Sequence, residues 1–365
     1  MRPKLIRLFV VVFFGAVRCL GQGTVPLASS GAADPATTAH GVKLGGSAPR
    51  QLGVETIKIA SEQAGAYNGM TCDSDGNLYL RGEPDGVPGI VKLNAKGERL
   101  AVFQPKSADL KVDRGGAFSV APDGDVYQLI WAREISRYVF VYRPDGTIRS
   151  EIKLQPGFAF SPNRVAAFPS GGLLVSAVER DHDPNNPVMW PFEGIFSSSG
   201  TLLKELTLED DDKLRDMATS GDKRVVLPTD PSSNLAFAAG FAETGPDGNV
   251  YLMRRTSPAI FYAISPGGSV RRFVFDPGES DFMPSRMQMS GGKIAILFRK
   301  ELTMDEFLSV VDLKGHEIAT YSEPVIAGRH ALGPAFVCYA DNPERFIFLT
   351  TTEDHKLGLV IAKPQ

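Results

Sequence analysis

Short runs of alternating or unbroken apolar residues, each opened by a glycine-containing polar turn, recur along most of the chain. They read DSDGNLYL from Asp73, APDGDVYQL from Ala121, FPSGGLLVS from Phe168, GPDGNVYLM from Gly245, MSGGKIAIL from Met289 and YADNPERFIFL from Tyr339. Asp, Asn and Gly tolerate the positive φ that a tight hairpin needs, so each run predicts a turn followed by a strand. Between the residues that precede the turn glycines or take their place (Asp75, Asp123, Ser170, Asp247, Ser290 and Asp341) the intervals are 48, 47, 77, 43 and 51 residues.

A second series of turns falls between the first, at Gly97, Gly146, Gly200, Gly267 and Gly315, with an apolar strand on each side. Each repeat therefore reads strand a, turn, strand b, loop, strand c, turn, strand d. Periods of this size with four strands apiece belong to propellers, in which every repeat buries its faces against its neighbours. The sixth copy lacks its second turn, while a lone strand, Val54 to Ala60, precedes the first copy. This predicts an all-β, six-bladed β-propeller closed by the N-terminal strand completing the last blade, a join that removes free sheet edges.

The first residues have a different pattern. Arg2, Lys4 and Arg7 precede the apolar run Leu8 to Val17, and Cys19, Leu20 and Gly21 follow it. This reads as a signal peptide over 1–21, too short to cross a bilayer, and predicts a secreted or periplasmic protein with no transmembrane segment in the mature chain. Residues 22–50 are rich in Ala, Gly, Ser, Thr and Pro without periodicity and read as a flexible leader. The propeller then occupies 51–365.

Net charge is −3 with dispersed Lys and Arg, so the chain carries no electrostatic footprint for nucleic acid. Long, irregular connections (82–89, 104–115, 155–164, 181–192 and 209–240) all fall on the b-c and d-a side, which is where a binding site is expected. Three constellations lie there. Trp131 and Trp190, with Phe158, Phe160 and Phe192 nearby, suit stacking on a saccharide or gripping a peptide, or else fill the gaps between repeats. Arg81, Arg133, Arg180, Arg254 and Arg299 end or follow strand b of five repeats and suit an anionic ligand, or else pair with nearby acidic residues such as Glu134, Glu179 and Glu301.

The third constellation is Asn68 and Asn163, each seven residues before the turn position of its repeat. The repeats resemble six-bladed propellers of the NHL-repeat and TolB-like superfamily over Val54 to Pro364, and these asparagines resemble those of gluconolactonase-type propellers. The resemblance implies that such asparagines ligate a divalent cation beside a Glu and an Asp, here drawn from Glu243, Asp281 or Asp113. The superfamily includes lactonases, lyases and binding modules without chemistry. The reading that follows is an exported binding module with no cofactor, holding a small molecule, saccharide or protein partner. The alternative is a metal-dependent hydrolase of the lactonase type. His182 and His330 have no ligand-like spacing, and the acidic run from Glu209 to Asp216 reads as a solvated loop. Cys72 and Cys338 each stand three residues before a turn position in repeats that ring closure makes neighbours; a disulfide there would staple the closure of an exported protein, but inner strands of adjacent blades usually diverge, so the expectation is two buried thiols.

Overall fold

The computed structural model describes residues 37–38, 42–44, 48–63, 67–132, 137–180, 189–208, 240–279, 282–300, 303, 305–324, 335–352 and 354–365. Three strands come first: β1 (Thr37–Thr38), β2 (Val42–Lys43) and β3 (Arg50–Gln63). Three antiparallel meanders of four strands follow in part of the chain. The first is β4 (Gly69–Cys72), β5 (Leu78–Gly82), β6 (Gly89–Leu93) and β7 (Arg99–Phe103). The second is β8 (Val112–Val120), β9 (Val126–Ala132), β10 (Arg137–Tyr142) and β11 (Ile148–Lys153). The third is β12 (Phe160–Ala167), β13 (Leu173–Arg180), β14 (Met189–Phe196) and β15 (Leu202–Leu206).

A fourth meander comprises β16 (Phe241–Thr244), β17 (Val250–Arg254), β18 (Ala259–Ile264) and β19 (Val270–Asp276). It is extended by β1 and β2, which lie parallel to β19. Part of the segment read as a flexible leader is thus hydrogen-bonded to an outer strand, and Leu44 beside it is buried. The remaining strands are β20 (Phe282–Ser290), β21 (Lys293–Lys300), β22 (Glu306–Asp312), β23 (Glu317–Ser322), β24 (Ala335–Asp341), β25 (Glu344–Thr351) and β26 (Lys356–Pro364). With β3 they form a single sheet of eight strands in the order β20-β21-β22-β23-β3-β26-β25-β24.

The described residues therefore carry five hydrogen-bonded sheets rather than six separate ones. The reason lies at β3. It runs antiparallel to β26 along most of its length, the pairing expected of an orphan strand that supplies the missing fourth member. Its first two residues also pair in parallel with Tyr321 and Ser322 of β23, which fuses two four-stranded groups.

Turn chemistry sets the strand ends. Asp73 Oδ1 accepts the backbone N–H groups of Asp75 and Asn77, and Gly76 takes φ of 77°. Equivalent hairpins close on Gly97, Gly124, Gly146, Gly171, Gly200, Gly248 and Gly315. The second turn of the fourth meander differs from expectation by one residue, because Gly268 rather than Gly267 adopts positive φ.

Strands b and c are buried on both faces, as in the uninterrupted run Leu78, Tyr79 and Leu80, whereas strand d is largely exposed, as in β7 and β15. A middle strand sandwiched between neighbouring sheets needs apolar residues on both sides, which explains runs that do not alternate. Apolar clusters fill the spaces between successive sheets. The first strands β4, β8, β12, β16, β20 and β24 touch one another in that cyclic order and enclose a central channel.

Cys72 of β4 and Cys338 of β24 form a disulfide, with Cα atoms 5.4 Å apart. This corrects the expectation of two thiols. First strands of neighbouring repeats converge at the channel, and β24, which carries a bulge between Phe336 and Cys338, lies against β4. The bridge spans the junction between the end of the chain and its beginning.

Candidate functional site

Inside the ring lies a cavity of about 240 Å³ lined by the first strands. Three arginines reach it from different sheets: Arg81 at the end of β5, Arg164 in β12 and Arg286 in β20. Arg164 and Arg286 share a local device. Each follows a proline by two residues, in FSPNR and FMPSR, and in each strand the register shifts between that proline and the arginine. A bulge breaks the alternation of faces and re-aims the following side chain.

Each guanidinium donates to at least one neutral oxygen. Arg81 donates from Nε to Asn68 Oδ1 at 2.7 Å and from an Nη to the Asn68 carbonyl at 2.9 Å. Arg164 donates to the carbonyls of Gly240 and Asn163 at 2.5 and 2.6 Å, and Arg286 to that of Met70 at 3.5 Å. Burial lowers the pKa of Arg164 to about 10, and repulsion from Arg81, Arg286 and Arg255 adds to the shift. Burial likewise brings Arg286 to about 10, with repulsion from Arg299 in the same direction and Glu243 opposing it. Burial also lowers the pKa of Arg81.

Glu243 of β16 lines the same cavity and anchors a polar network. Its Oε1 accepts from Gln288 Nε2 at 2.9 Å and from Thr71 Oγ1 at 3.3 Å. Burial pushes its pKa up to about 8, against hydrogen bonds from Thr71 and the Met289 N–H and the charge of Arg286. At neutral pH this carboxyl is largely protonated, so it adds a hydrogen-bond donor and little negative charge to an arginine-lined space. Guanidinium forks beside a neutral acid suit a carboxylate or phosphate.

The residues singled out in the sequence scatter among several environments. Arg81 lies at the cavity. Arg254 is buried in β17 and pairs with Glu193 at 3.1 Å, with both side chains about 1% exposed. Arg299 pairs with Glu306. Arg180 ends β13, opposite Met189, and Trp190 stands in β14 opposite Glu179. Arg133, Asp281, His182, His330 and the run Glu209 to Asp216 lie outside the described residues. Trp131 closes β9 with the Arg114 guanidinium 4.8 Å from its ring; a Cβ on Gly116 would overlap that ring, so glycine is required there. Phe158, Phe160 and Phe192 pack edge-to-face in the apolar cluster between the second and third sheets, which makes them core.

Asn68 is exposed and engaged by Arg81. Asn163 Oδ1 is buried and makes no hydrogen bond among the described residues. Glu243 contacts Thr71 and Gln288, and Asp113 is exposed on β8. No group of three or more His, Cys, Asp or Glu side chains is clustered for a metal ion among the described residues. Arg164 and Arg286 are the cavity arginines that the sequence reading missed; the repeated Phe-x-Pro-x-Arg opening two first strands is the signal that marks them.

No family model and no curated protein sequence matches the chain. Solved structures do. A candidate exported protein from Bacteroides fragilis aligns with TM-score 0.55 and 10% identity, covering 86% of this chain and 95% of its own. The β-propeller domain of the Trilobed protease from Pyrococcus furiosus aligns with TM-score 0.40 and 12% identity over 82% of this chain and 83% of that domain.

The fold is a β-propeller. A gluconolactonase from Xanthomonas campestris is more distant, with TM-score 0.36 and 13% identity over 63% of this chain and 68% of its own. Among the described residues no helix is long and apolar enough to cross a membrane.

Proposed function

We propose that the protein is an exported β-propeller binding module that holds a small anionic ligand in its central cavity. The observation that carries this reading is the convergence of Arg81, Arg164 and Arg286 on one cavity whose carboxyl group, Glu243, has a raised pKa. Like charges brought together in a confined space repel, and a bound anion relieves that repulsion with charge-assisted hydrogen bonds. Export follows from the signal-like N-terminus.

The ring is read as six-bladed. Support comes from the cyclic contacts of β4, β8, β12, β16, β20 and β24, and from splitting the eight-stranded sheet at its two-residue parallel join.

Titration calorimetry with citrate, inorganic phosphate and a monouronic acid tests the binding reading, with Arg164→Ala and Arg286→Ala as controls. Micromolar binding that both variants weaken supports it; no binding of any anion refutes it.

The alternative, a lactonase-type metal hydrolase, draws support from Asn163 Oδ1, buried without a hydrogen bond, and from Glu243 in the same cavity as Asn68. Against it, Asn68 Oδ1 already accepts from a cation, Arg81. A stoichiometric calcium, magnesium, manganese or zinc ion that raises the melting temperature and is removed by chelator would favour the metal reading.

A further inference from the structure

A second, larger cavity of about 890 Å³ adjoins the first on the side of the first and second sheets. The two share Asn68 and Arg81 as lining residues, so the two spaces meet at the hydrogen-bonded Asn68-Arg81 pair. The outer cavity is polar in a different way from the inner one. Arg99 donates to both Glu62 oxygens at 2.6 and 2.8 Å and to Asp85 at 2.6 Å. Three acidic residues, Glu62, Glu83 and Asp85, stand against three arginines, Arg81, Arg99 and Arg114. Charge balance of this kind removes any net pull on an ion while leaving many hydrogen-bonding atoms on the wall. Tyr67 contributes the one aromatic ring among the lining residues.

We propose that the outer cavity receives the uncharged, hydroxyl-rich body of an acidic saccharide whose terminal carboxylate sits among Arg81, Arg164 and Arg286. This rests on the anion-binding reading of the inner cavity and extends it by naming the ligand class. An inner space of about 240 Å³ suits one small anionic group, and a ligand that stops there leaves the adjoining space unused. A polyol body fits the outer wall because hydroxyls both donate and accept, and so engage the Glu62-Arg99-Asp85 array without disturbing its charge balance. The Tyr67 ring offers a surface for a sugar face. An extended peptide would instead call for apolar pockets or a free sheet edge.

Calorimetry on the mature protein with glucuronate, with the dimer and trimer in which a single terminal glucuronate is joined to one or two neutral xylose units, and with citrate as a simple anion, tests the extension. Affinity that rises at least tenfold from monomer to trimer supports it, as does a trimer affinity lowered about tenfold in Tyr67→Ala with an unchanged melting temperature. Equal affinity for monomer and trimer, or binding of citrate without any uronate, overturns the saccharide assignment while the anion reading stands. Failure of citrate, phosphate and every uronate alike overturns both. If Tyr67→Ala does not fold, Glu83→Gln, an exposed position on the same wall, carries the same expectation of weakened trimer binding.

Discussion

Arg254 and Arg164 are both arginines on strands of the same ring, yet the first is locked to Glu193 between sheets and the second faces a cavity shared with other arginines. The difference is one of position. At the end of strand b, between stacked sheets, a charge is stripped of water and persists only with a counter-charge beside it. On strand a the side chain meets the channel, where the guanidinium donates to the carbonyls of Gly240 and Asn163 and lies near other arginines. Place in the repeat thus separates an arginine that serves architecture from one that, on the binding reading, serves recognition.

The sharpest way to break this comparison is to truncate the interior pair. Arg254→Ala leaves Glu193 buried without its counter-charge and is expected to cost about 3–5 kcal/mol in urea unfolding. A loss below about 1 kcal/mol would show that the pair is not an architectural element.

Next in size is the closure of the ring. Cys72→Ser with Cys338→Ser removes the covalent link across the junction, with an expected loss of about 2–4 kcal/mol and a lower melting temperature. Reducing agent should reproduce that loss in the parent protein and have no effect on the double variant.

On the recognition side, Arg164→Ala and Arg286→Ala should weaken citrate or uronate binding by about 1.5–3 kcal/mol, roughly ten- to a hundredfold, as expected for a lost charge-assisted hydrogen bond. Their stability should change much less than that of Arg254→Ala, because removing one cation also relieves repulsion. A stability loss matching that of Arg254→Ala would put the two arginines in the architectural class.

Per unit of pH, the smallest effect is that of Glu243. Glu243 keeps its proton up to about pH 8 in the folded protein, whereas an ordinary carboxyl loses it near 4.5. Between those values the folded state binds more protons, so stability falls as pH rises, by at most about 1.4 kcal/mol per unit from this group. Ligand affinity should fall as pH passes 8, when Glu243 becomes an anion beside the bound one. Glu243→Gln should flatten both profiles; an unchanged pH profile of binding in that variant would remove Glu243 from the site.

Much of the fold was legible because its signals are local. The turn that begins at Asp73 needs a side-chain acceptor and a glycine at fixed offsets, and both sit within five residues. The orphan strand was legible by counting, since a repeat without its second turn lacks a strand and β3 supplies one. The site was legible only in part. Arg81 was within reach of a pattern search along strand ends, but Arg164 and Arg286 follow bulges, which shift the facing of a side chain without changing its place in the sequence.

The sequence by itself determined the repeating strand and turn pattern, the all-β class and the strand held in reserve for closure, since each depends on backbone preferences of neighbouring residues. Tertiary structure alone decided which cysteines bond, which arginines are neutralised and which share a cavity. Those outcomes depend on distances between residues such as Cys72 and Cys338, 266 positions apart, that only ring closure brings together.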